Sequence, residues 1–148
     1  MPADTFLDTS VLLYMVTSED PRAEIAETIL RGGGVISVQV LNEFVSVARS
    51  KYAMEWKEIE AAISGIRLLC DPVVSLTINT HETGVYISQR YGYRIYDSLH
   101  LAAAIEAGCT TIYSEDMQDG QTVGSLTIRN PFAIGWVTDG DPHISTSV

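Results

Sequence analysis

The sequence has little of the features that mark several special classes of protein. Its only cysteines, Cys70 and Cys109, lie in apolar surroundings without the spacing of a zinc site, so we expect small core residues of a reduced protein rather than a disulfide. No apolar run reaches the roughly 18 residues that a membrane-spanning helix needs. The opening residues MPADTFLD lack a basic flank before an apolar stretch, which argues against a signal peptide. These absences favour a cytoplasmic protein that has no membrane partner.

Positive charge is also scarce. Nine Lys and Arg residues stand against 19 Asp and Glu residues, which gives a formal net charge of −10. A protein that binds nucleic acid by charge alone should be basic, so this total argues against such a partner unless the charges are unevenly spread. They are uneven, because six of the nine cations fall in one stretch of the chain: Arg49, Lys51, Lys57, Arg67, Arg90 and Arg94.

The composition is that of one globular domain, with 46% hydrophobic and 19% charged residues in a chain of 148. Segments of helical periodicity alternate with short apolar runs, which predict strands at DTFLD, VIS, VVSLTI, TTIYS and SLTIRN. This alternation predicts an α/β fold with a mainly parallel central sheet of about five strands, flanked by helices. We assign residues 1–132 to this domain, and residues 133–148, which lose the periodicity, to a loosely ordered C-terminal extension.

Capping residues indicate where several helices begin. Asp20 before Pro21, and Ser37 before VQVLNEFVSVARS, each supply a side-chain oxygen for the free backbone N–H groups of a first helical turn. Asn79 with Glu82 resembles a capping box at the start of a later helix. In EWKEIEAAISGIRLL the apolar residues recur at helical spacing and predict a buried face: Trp56, Ile59, Ile63, Ile66 and Leu69.

Acidic residues stand where the predicted topology would gather them. Asp8 closes the first strand, in the otherwise apolar run TFLDTSVLLY, and Asp116, with Glu115 before it, follows the strand TTIYS. Asp97 opens the helix in YDSLHLAAA, and Glu43 lies on the polar face of the helix that follows VIS. Because the ligand sites of open α/β sheets lie at the carboxyl ends of the strands, we expect these carboxylates at one edge of the sheet.

A cluster of carboxylates implies a cation. Acids held this close repel one another and stay ionised at neutral pH only if positive charge lies among them. Ligands made only of oxygen, without histidine or thiol, select Mg²⁺ or Mn²⁺ over zinc, and phosphodiester hydrolysis is the chemistry that such an ion indicates. Each acid alone also has a structural explanation: Asp97 as a helix cap, Asp8 as the end of a strand and Glu43 as part of a solvated helix face.

The same residues carry a resemblance to the PIN-domain family, and within it to the toxin ribonucleases of VapBC-type toxin–antitoxin pairs. The resemblance covers nearly all of residues 4–132 and rests on FLDTSVLLY, LNEF, YDSLHLAAA, YSEDMQDG and IRNPF, in this order. It implies a PIN-like three-layer sandwich. It also implies a catalytic quartet and two auxiliary residues, namely Asp8, Asp97 and Asp116 as catalytic metal ligands, Glu43 as the further catalytic acid, and Ser10 and Asp119 as auxiliaries.

The resemblance further implies an endoribonuclease that depends on Mg²⁺ or Mn²⁺ and acts as the toxin of such a pair. Its substrate would be cellular RNA, its partner a small antitoxin protein, and its assembly a homodimer. The six clustered basic residues then become candidates for guiding RNA phosphates. Aromatic residues become candidates for stacking on bases, although core packing explains them equally well: Tyr52, Trp56, Tyr91, Tyr93 and Tyr96.

Other interpretations of the acidic pattern stay open or fit less well. A PIN-like module that binds protein or RNA without catalysis stays open. A haloacid-dehalogenase-like phosphatase would need a second aspartate where Ser10 stands, and a response-regulator receiver would need a lysine after a late strand, whereas no lysine follows Lys57. His100 shares a helix face with Asp97, but its apolar neighbours favour a buried, hydrogen-bonded side chain over a ligand.

Overall fold

The computed structural model describes residues 4–17 and 19–133. Apart from Ala133, the predicted C-terminal extension lies outside these residues. The strands are β1 (Thr5–Leu7), β2 (Gly34–Ser37), β3 (Cys70–Val74), β4 (Thr111–Tyr113), β5 (Thr122–Val123) and β6 (Leu126–Arg129). The helices are α1 (Thr9–Leu13), α2 (Arg22–Arg31), α3 (Val38–Ser50), α4 (Trp56–Leu69), α5 (Ile78–Tyr91) and α6 (Ile95–Glu106). Within the described ranges, none of the helices has both the length and the apolar character needed to cross a bilayer.

The strands form one sheet in the order β3-β2-β1-β4-β6-β5. All neighbouring strands are parallel except the edge pair β5 and β6. The predicted mainly parallel sheet is therefore confirmed, with β5 as an additional strand of two residues that carries too little pattern to predict. Because β2, β1 and β4 are adjacent and parallel, their carboxyl ends open on the same edge of the sheet, where Asp8, α3 and Asp116 follow.

The centre of the sheet is buried on both faces. All four residues of β2 are buried, and the large side chains of Phe6, Phe44 and Ile112 are fully enclosed. A strand with both faces buried needs helices on each side of the sheet, which agrees with the predicted layers. Cys70 and Cys109 are both buried, as predicted.

The predicted cap Ser37 is present, whereas the predicted cap Asp20 is one residue off. Ser37 Oγ accepts a hydrogen bond from the backbone N–H of Val40 at 3.2 Å and opens α3. Helix α2 begins at Arg22 with Pro21 as its N-cap, and Asp20, one position earlier, accepts from the backbone N–H of Arg22 at 2.9 Å. In both cases a short polar side chain still satisfies an N–H group that has no partner within the helix.

Helix α5 begins earlier than predicted, so the capping box that was to open on Asn79 is wrong. Thr77 Oγ1 accepts from the Thr80 N–H at 3.1 Å, and Thr80 Oγ1 accepts from the Thr77 N–H at 3.3 Å. Asn79 instead donates to Glu106 on α6 at 2.7 Å. The helix starts here because β3 ends at Val74, whereas the predicted strand VVSLTI ran on through Ile78.

Two further elements depart from the predictions. Helix α1 is not predicted, because five residues are too few to show helical periodicity.

The apolar face predicted for α4 is only partly buried. Of its five residues, Ile59 and Ile66 are buried, whereas Trp56 is 57% exposed and Leu69 is 41% exposed. The predicted apolar face of α4 is therefore correct at its centre and wrong at its ends.

The helix that carries Asp97 packs closely against α5. A Cβ added at Gly84 would lie 2.8 Å from Leu99 Cδ2, so a side chain there would force Leu99 to move. Gly92 follows the last residue of α5 and caps it with a left-handed φ of 82°, which favours glycine, and the chain turns there into α6. Because α6 also contacts β2, β4 and β6, this packing fixes the start of α6 relative to the sheet.

Replacing Thr77 by Ala is expected to lower the free energy of unfolding by about 1 kcal/mol, the usual cost of losing a threonine N-cap. For a chain of this size that corresponds to a melting temperature lower by roughly 3 °C, which differential scanning fluorimetry would detect. The matched control is Asn79→Ala, which removes an exposed side chain and should shift the melting temperature less. An equal or larger fall in the melting temperature of the Asn79 variant would show that Asn79 caps the helix.

Candidate active site

Asp8 lies at the junction between β1 and α1. Its backbone N–H continues the sheet by donating to the Tyr113 carbonyl at 3.2 Å, while its side chain caps α1. Asp8 Oδ1 accepts from the backbone N–H of Ser10 at 2.9 Å and also from the Ser10 hydroxyl. The side chain is held firmly by these bonds and is nearly inaccessible to water, because Asp8 as a residue is only 2% exposed.

The surroundings of Asp8 disfavour its ionised form. Burial, helped by the charge of Asp116, raises its pKa to about 6 from an ordinary 3.8. The charge of His100 and hydrogen bonds from Ser10 and Ser114 oppose this rise without cancelling it. Ionising a buried carboxylate of this kind costs free energy, and a neighbouring cation would offset that cost.

Glu43 projects from the polar side of α3 and receives hydrogen bonds on both oxygens. Oε1 accepts from Thr9 Oγ1 at 3.2 Å and lies 3.1 Å from His100 Nε2, and Oε2 accepts from Gln39 Nε2 at 3.0 Å. Burial raises its pKa, but the hydrogen bond and charge of His100, with Gln39 and Thr9, outweigh burial and lower the pKa below its ordinary value. Glu43 is therefore ionised and held in one orientation.

His100 is enclosed, with 1% of its surface exposed. Nδ1 is buried and has no hydrogen-bond partner among the residues that the structure describes. Burial lowers the pKa of His100, but Glu43, then Asp8 and Asp97, outweigh burial and raise it. The predicted buried, hydrogen-bonded histidine is thus what the structure contains, and the partner it bonds is Glu43. The spacing of three between Asp97 and His100 hinted at this proximity to the acids, but nothing in the sequence named Glu43.

Asp97 and Asp116 complete the group. Asp97 lies in the first turn of α6, where Arg94 Nε is 3.7 Å from its Oδ2. Asp116 follows β4, and its backbone N–H donates to Ser114 Oγ at 3.1 Å. Burial first, and then the charges of Asp97, Glu115 and Glu43, raise the pKa of Asp116, with Arg94 acting in the opposite direction. The charges of Asp97 and Glu43 thus act on Asp116, and the charge of Asp116 acts on Asp8.

A pocket of about 410 Å³ opens at this edge of the sheet. Two of the four acids, Glu43 and Asp116, line it, together with Ser10.

The two predicted auxiliary residues, Ser10 and Asp119, differ in position. Ser10 bonds Asp8 and accepts from the Glu115 N–H at 3.1 Å, whereas Asp119 does not line the pocket and accepts from the backbone N–H of Asn130 at 2.9 Å.

Sequence reasoning missed an arginine-centred cluster in the same pocket. Arg22 contacts Glu115 Oε2 and Asp20 Oδ2, each at 2.8 Å, and its guanidinium lies 4.7 Å from the centre of the Tyr14 ring. The Tyr14 hydroxyl donates to the same Glu115 carboxylate. This network holds Glu115 beside Asp116. The two partners of the Arg22–Glu115 pair are 93 positions apart, so no local pattern could reveal it.

The acids suit a hard divalent cation in their chemistry. Their donor atoms are all carboxylate oxygens, the donors that Mg²⁺ and Mn²⁺ prefer. Burial first, and neighbouring negative charge after it, raises the pKa of Asp8 and of Asp116, so a bound cation would favour their ionised forms. As the side chains stand, however, no group of three or more His, Cys, Asp or Glu residues in the described ranges is close enough to form a ready metal site. Binding an ion would therefore require carboxylates to turn toward each other.

Comparison with known proteins agrees with this architecture. A structure of VapC20 from Mycobacterium tuberculosis, a sarcin-ricin loop cleaving toxin, superposes with a TM-score of 0.62 at 20% identity over 76% of this chain and 91% of that one. A toxin–antitoxin complex from Klebsiella pneumoniae gives a TM-score of 0.61 at 20% identity, covering 83% and 95% of the two chains. No curated protein matches by sequence. The model of the PIN domain family matches residues 5–118, more than half of the 148 residues. The chain belongs to the PIN domain family.

Proposed function

We propose that this protein is a Mg²⁺- or Mn²⁺-dependent endoribonuclease that acts in the cytoplasm as the toxin of a VapBC-type toxin–antitoxin pair. The observation that carries the proposal is the convergence of Asp8, Glu43, Asp97 and Asp116, which come from four separate elements. The charges of Asp97 and Glu43 raise the pKa of Asp116, and that of Asp116 raises the pKa of Asp8. A stable fold has little reason to gather acids in this way unless a cation binds there.

In this proposal Asp8, Asp97 and Asp116 would hold the ion, which would supply Lewis acidity and offset the charge of the acids. Asp8 is the most rigid of the three, because Ser10 fixes its side chain from two atoms. Asp116 lines the pocket and so faces an entering phosphate. Ser10 also bonds the N–H of Glu115, and thereby ties the Asp8 end of the site to the Asp116 end.

Glu43 is proposed as the general base. Its side chain is 27% exposed and lines the pocket, so it can reach a water molecule and accept its proton. Its bonds to Thr9 and His100 occupy both lone pairs of Oε1, whereas Oε2, which accepts from Gln39, keeps one lone pair for that contact. His100 is a positioning residue, because it holds Glu43 and is itself too deeply buried to meet a substrate.

The substrate and partners are proposed from the relatives. VapC20 is described as a sarcin-ricin loop cleaving toxin, and the Klebsiella structure is a toxin–antitoxin complex. We accordingly propose a single-stranded or looped cellular RNA as substrate, since such a strand can enter a narrow pocket. A small antitoxin protein and a homodimeric assembly complete the proposal.

A second candidate function is a PIN-like module that binds RNA or protein without catalysis. The observation in its favour is that no group of three potential ligands in the described part of the chain is ready to hold an ion. If the carboxylates do not close on a cation, the pocket still presents polar groups that a partner can contact.

Cleavage of total RNA separates the two candidates. Purified protein, freed from any co-purifying antitoxin, is incubated with RNA in the presence of Mg²⁺, Mn²⁺ or EDTA. We expect cuts at a few sites with either metal and none with EDTA. The products should lack 2′,3′-cyclic phosphate, because water rather than the ribose hydroxyl is the nucleophile. Intact RNA under every metal condition would favour the non-catalytic module, and cleavage that persists in EDTA would contradict the metal-dependent mechanism.

A further inference from the structure

The pocket beside the acids contains cations that the proposed chemistry does not use. Lys51, Tyr52 and Arg94 all line it, together with Glu43 and Asp116. We propose that Lys51, Tyr52 and Arg94, here called the basic lining, form a binding site for single-stranded RNA. In this site Lys51 and Arg94 pair with backbone phosphates next to the scissile bond, and Tyr52 stacks on an unpaired base. The inference rests on the proposed function and names how its substrate is held.

The first argument is that the cations of the basic lining are available. No carboxylate of the described residues forms an ion pair with Lys51, and the closest one to Arg94 is Asp97 at 3.7 Å. The Arg94 side chain is 79% exposed. Such a distant and solvated pair contributes little, so a phosphate can replace Asp97 as the partner of Arg94 at small cost.

Arg22, the other cation in the pocket, is differently placed. It contacts both Asp20 and Glu115 at 2.8 Å, so this part of the pocket carries one positive and two negative charges. A phosphate approaching it would meet net negative charge. The pocket is therefore electrostatically uneven, and the basic lining is the part that attracts a polyanion.

The second argument is that Arg94 lies within electrostatic reach of the catalytic acids. Its Nε lies 3.7 Å from Asp97 Oδ2, and Arg94 and Asp116 both line the pocket. A phosphate bound at Arg94 would therefore lie close to the carboxylates proposed to hold the metal. Among the six clustered basic residues, Lys51 and Arg94 line the pocket, whereas Arg49, Lys57, Arg67 and Arg90 do not.

The third argument is that the chain holds Tyr52 in a constrained turn. Ala53, the next residue, has a φ of 50°, a left-handed conformation that is unfavourable for a residue with a Cβ. Two bonds keep the turn in place: Arg49 Nη1 donates to the Met54 carbonyl at 2.9 Å, and the Met54 N–H donates to Ala48 at 3.0 Å. Arg49 is thus engaged in the turn rather than in RNA binding.

The contents of this turn suit a nucleotide. The Lys51 ammonium lies over one face of the Tyr52 ring, 5.6 Å from its centre, so a base stacked on the opposite face would lie close to a charge that can pair with its phosphate. Bases stack on aromatic rings without regard to sequence, and only an unpaired base can do so. This combination selects single-stranded RNA over a duplex.

The test is fluorescence anisotropy with a labelled single-stranded RNA of about 12 nucleotides, a length within the usual range of site sizes. Binding is measured in EDTA and in an Asp8→Asn background, so that the strand is not cut. Lys51→Ala and Arg94→Ala should each weaken binding severalfold and lower the slope of log Kd against log salt concentration by about 0.7, the value for one phosphate contact with a single strand. Tyr52→Ala should weaken binding about tenfold with an unchanged salt slope, whereas Tyr52→Phe should bind normally.

Matched controls are Lys57→Ala and Tyr86→Ala, which remove an exposed cation and a tyrosine that is 60% exposed, both outside the pocket. They should leave affinity and salt slope unchanged, and the same RNA annealed to its complement should bind more weakly. Unchanged affinity in Lys51→Ala and Arg94→Ala, or equal losses in the controls, would overturn the proposal even if the protein cuts RNA. Binding that follows the prediction without any cleavage would instead overturn the nuclease and leave the basic lining in place.

Discussion

An Asp8→Asn variant is expected to lose RNA cleavage and yet to unfold at a higher temperature than the parent in metal-free buffer. Asparagine keeps the shape of the side chain and can still accept the 2.9 Å hydrogen bond from the Ser10 N–H. It removes a buried charge whose pKa is raised to about 6. Since one pKa unit corresponds to about 1.4 kcal/mol, the metal-free protein should gain on the order of 3 kcal/mol in its free energy of unfolding.

The loss of cleavage should exceed a hundredfold, because even groups that only support metal ligands typically contribute about 10–100-fold. The matched control is Asp4→Asn, which makes the same change at an exposed aspartate just before the same strand. Asp4→Asn should change neither the cleavage rate nor the melting temperature. Cleavage by Asp8→Asn at the parental rate would remove Asp8 from the catalytic group. A lower melting temperature would show that the ionised carboxylate is already well compensated.

A His100→Leu variant is expected to cleave RNA about 10–100-fold more slowly while keeping a nearly unchanged melting temperature. The imidazole holds Glu43 through Nε2 at 3.1 Å, and a supporting residue of this kind typically contributes an effect of that size. Leucine has a similar volume and suits the apolar surroundings. It also removes the buried Nδ1 that has no partner among the described residues. The His100→Leu variant should therefore lose cleavage activity without losing stability.

His100→Gln provides the conservative test, because its amide can donate to Glu43 and should restore part of the lost activity. His81→Leu, at an exposed position on α5, controls for replacing a histidine by leucine. Equal activity of the leucine and glutamine variants at position 100 would mean that His100 does not position Glu43. A large fall in the melting temperature of His100→Leu would assign the residue a structural role.

How far the sequence predicted the fold depends on the length of each element. The long helix α3 shows both its apolar periodicity and its cap, Ser37, and the structure has them as predicted. Helix α1 has five residues and β5 has two, and segments this short carry no period. The error at α5 has another cause. Both Thr77 and Asn79 can cap a helix, and the choice between them depends on where β3 leaves the sheet, which its pairing with β2 decides.

The candidate site was predictable where topology alone decides it. Asp8 and Asp116 follow adjacent parallel strands, so the order of elements was enough to bring them together. The contacts around them were not predictable, because they join side chains far apart in the sequence. His100 bonds Glu43, and Arg22 bonds Glu115, over separations of 57 and 93 positions. Such pairs depend on the packing of α3 against α6 and on the path of the chain after β4, which no local pattern encodes.

The central claim is that carboxylates from separate elements act as one metal-dependent centre, and calorimetric titration of the metal-free protein with Mn²⁺ tests it most directly. The parent and a Glu60→Gln variant, changed at an exposed position on α4, should bind Mn²⁺ alike. Asp97→Asn should bind it at least about tenfold more weakly, because it removes a ligand. Absence of Mn²⁺ binding by the parent, or equal binding by the parent and Asp97→Asn, would contradict the account.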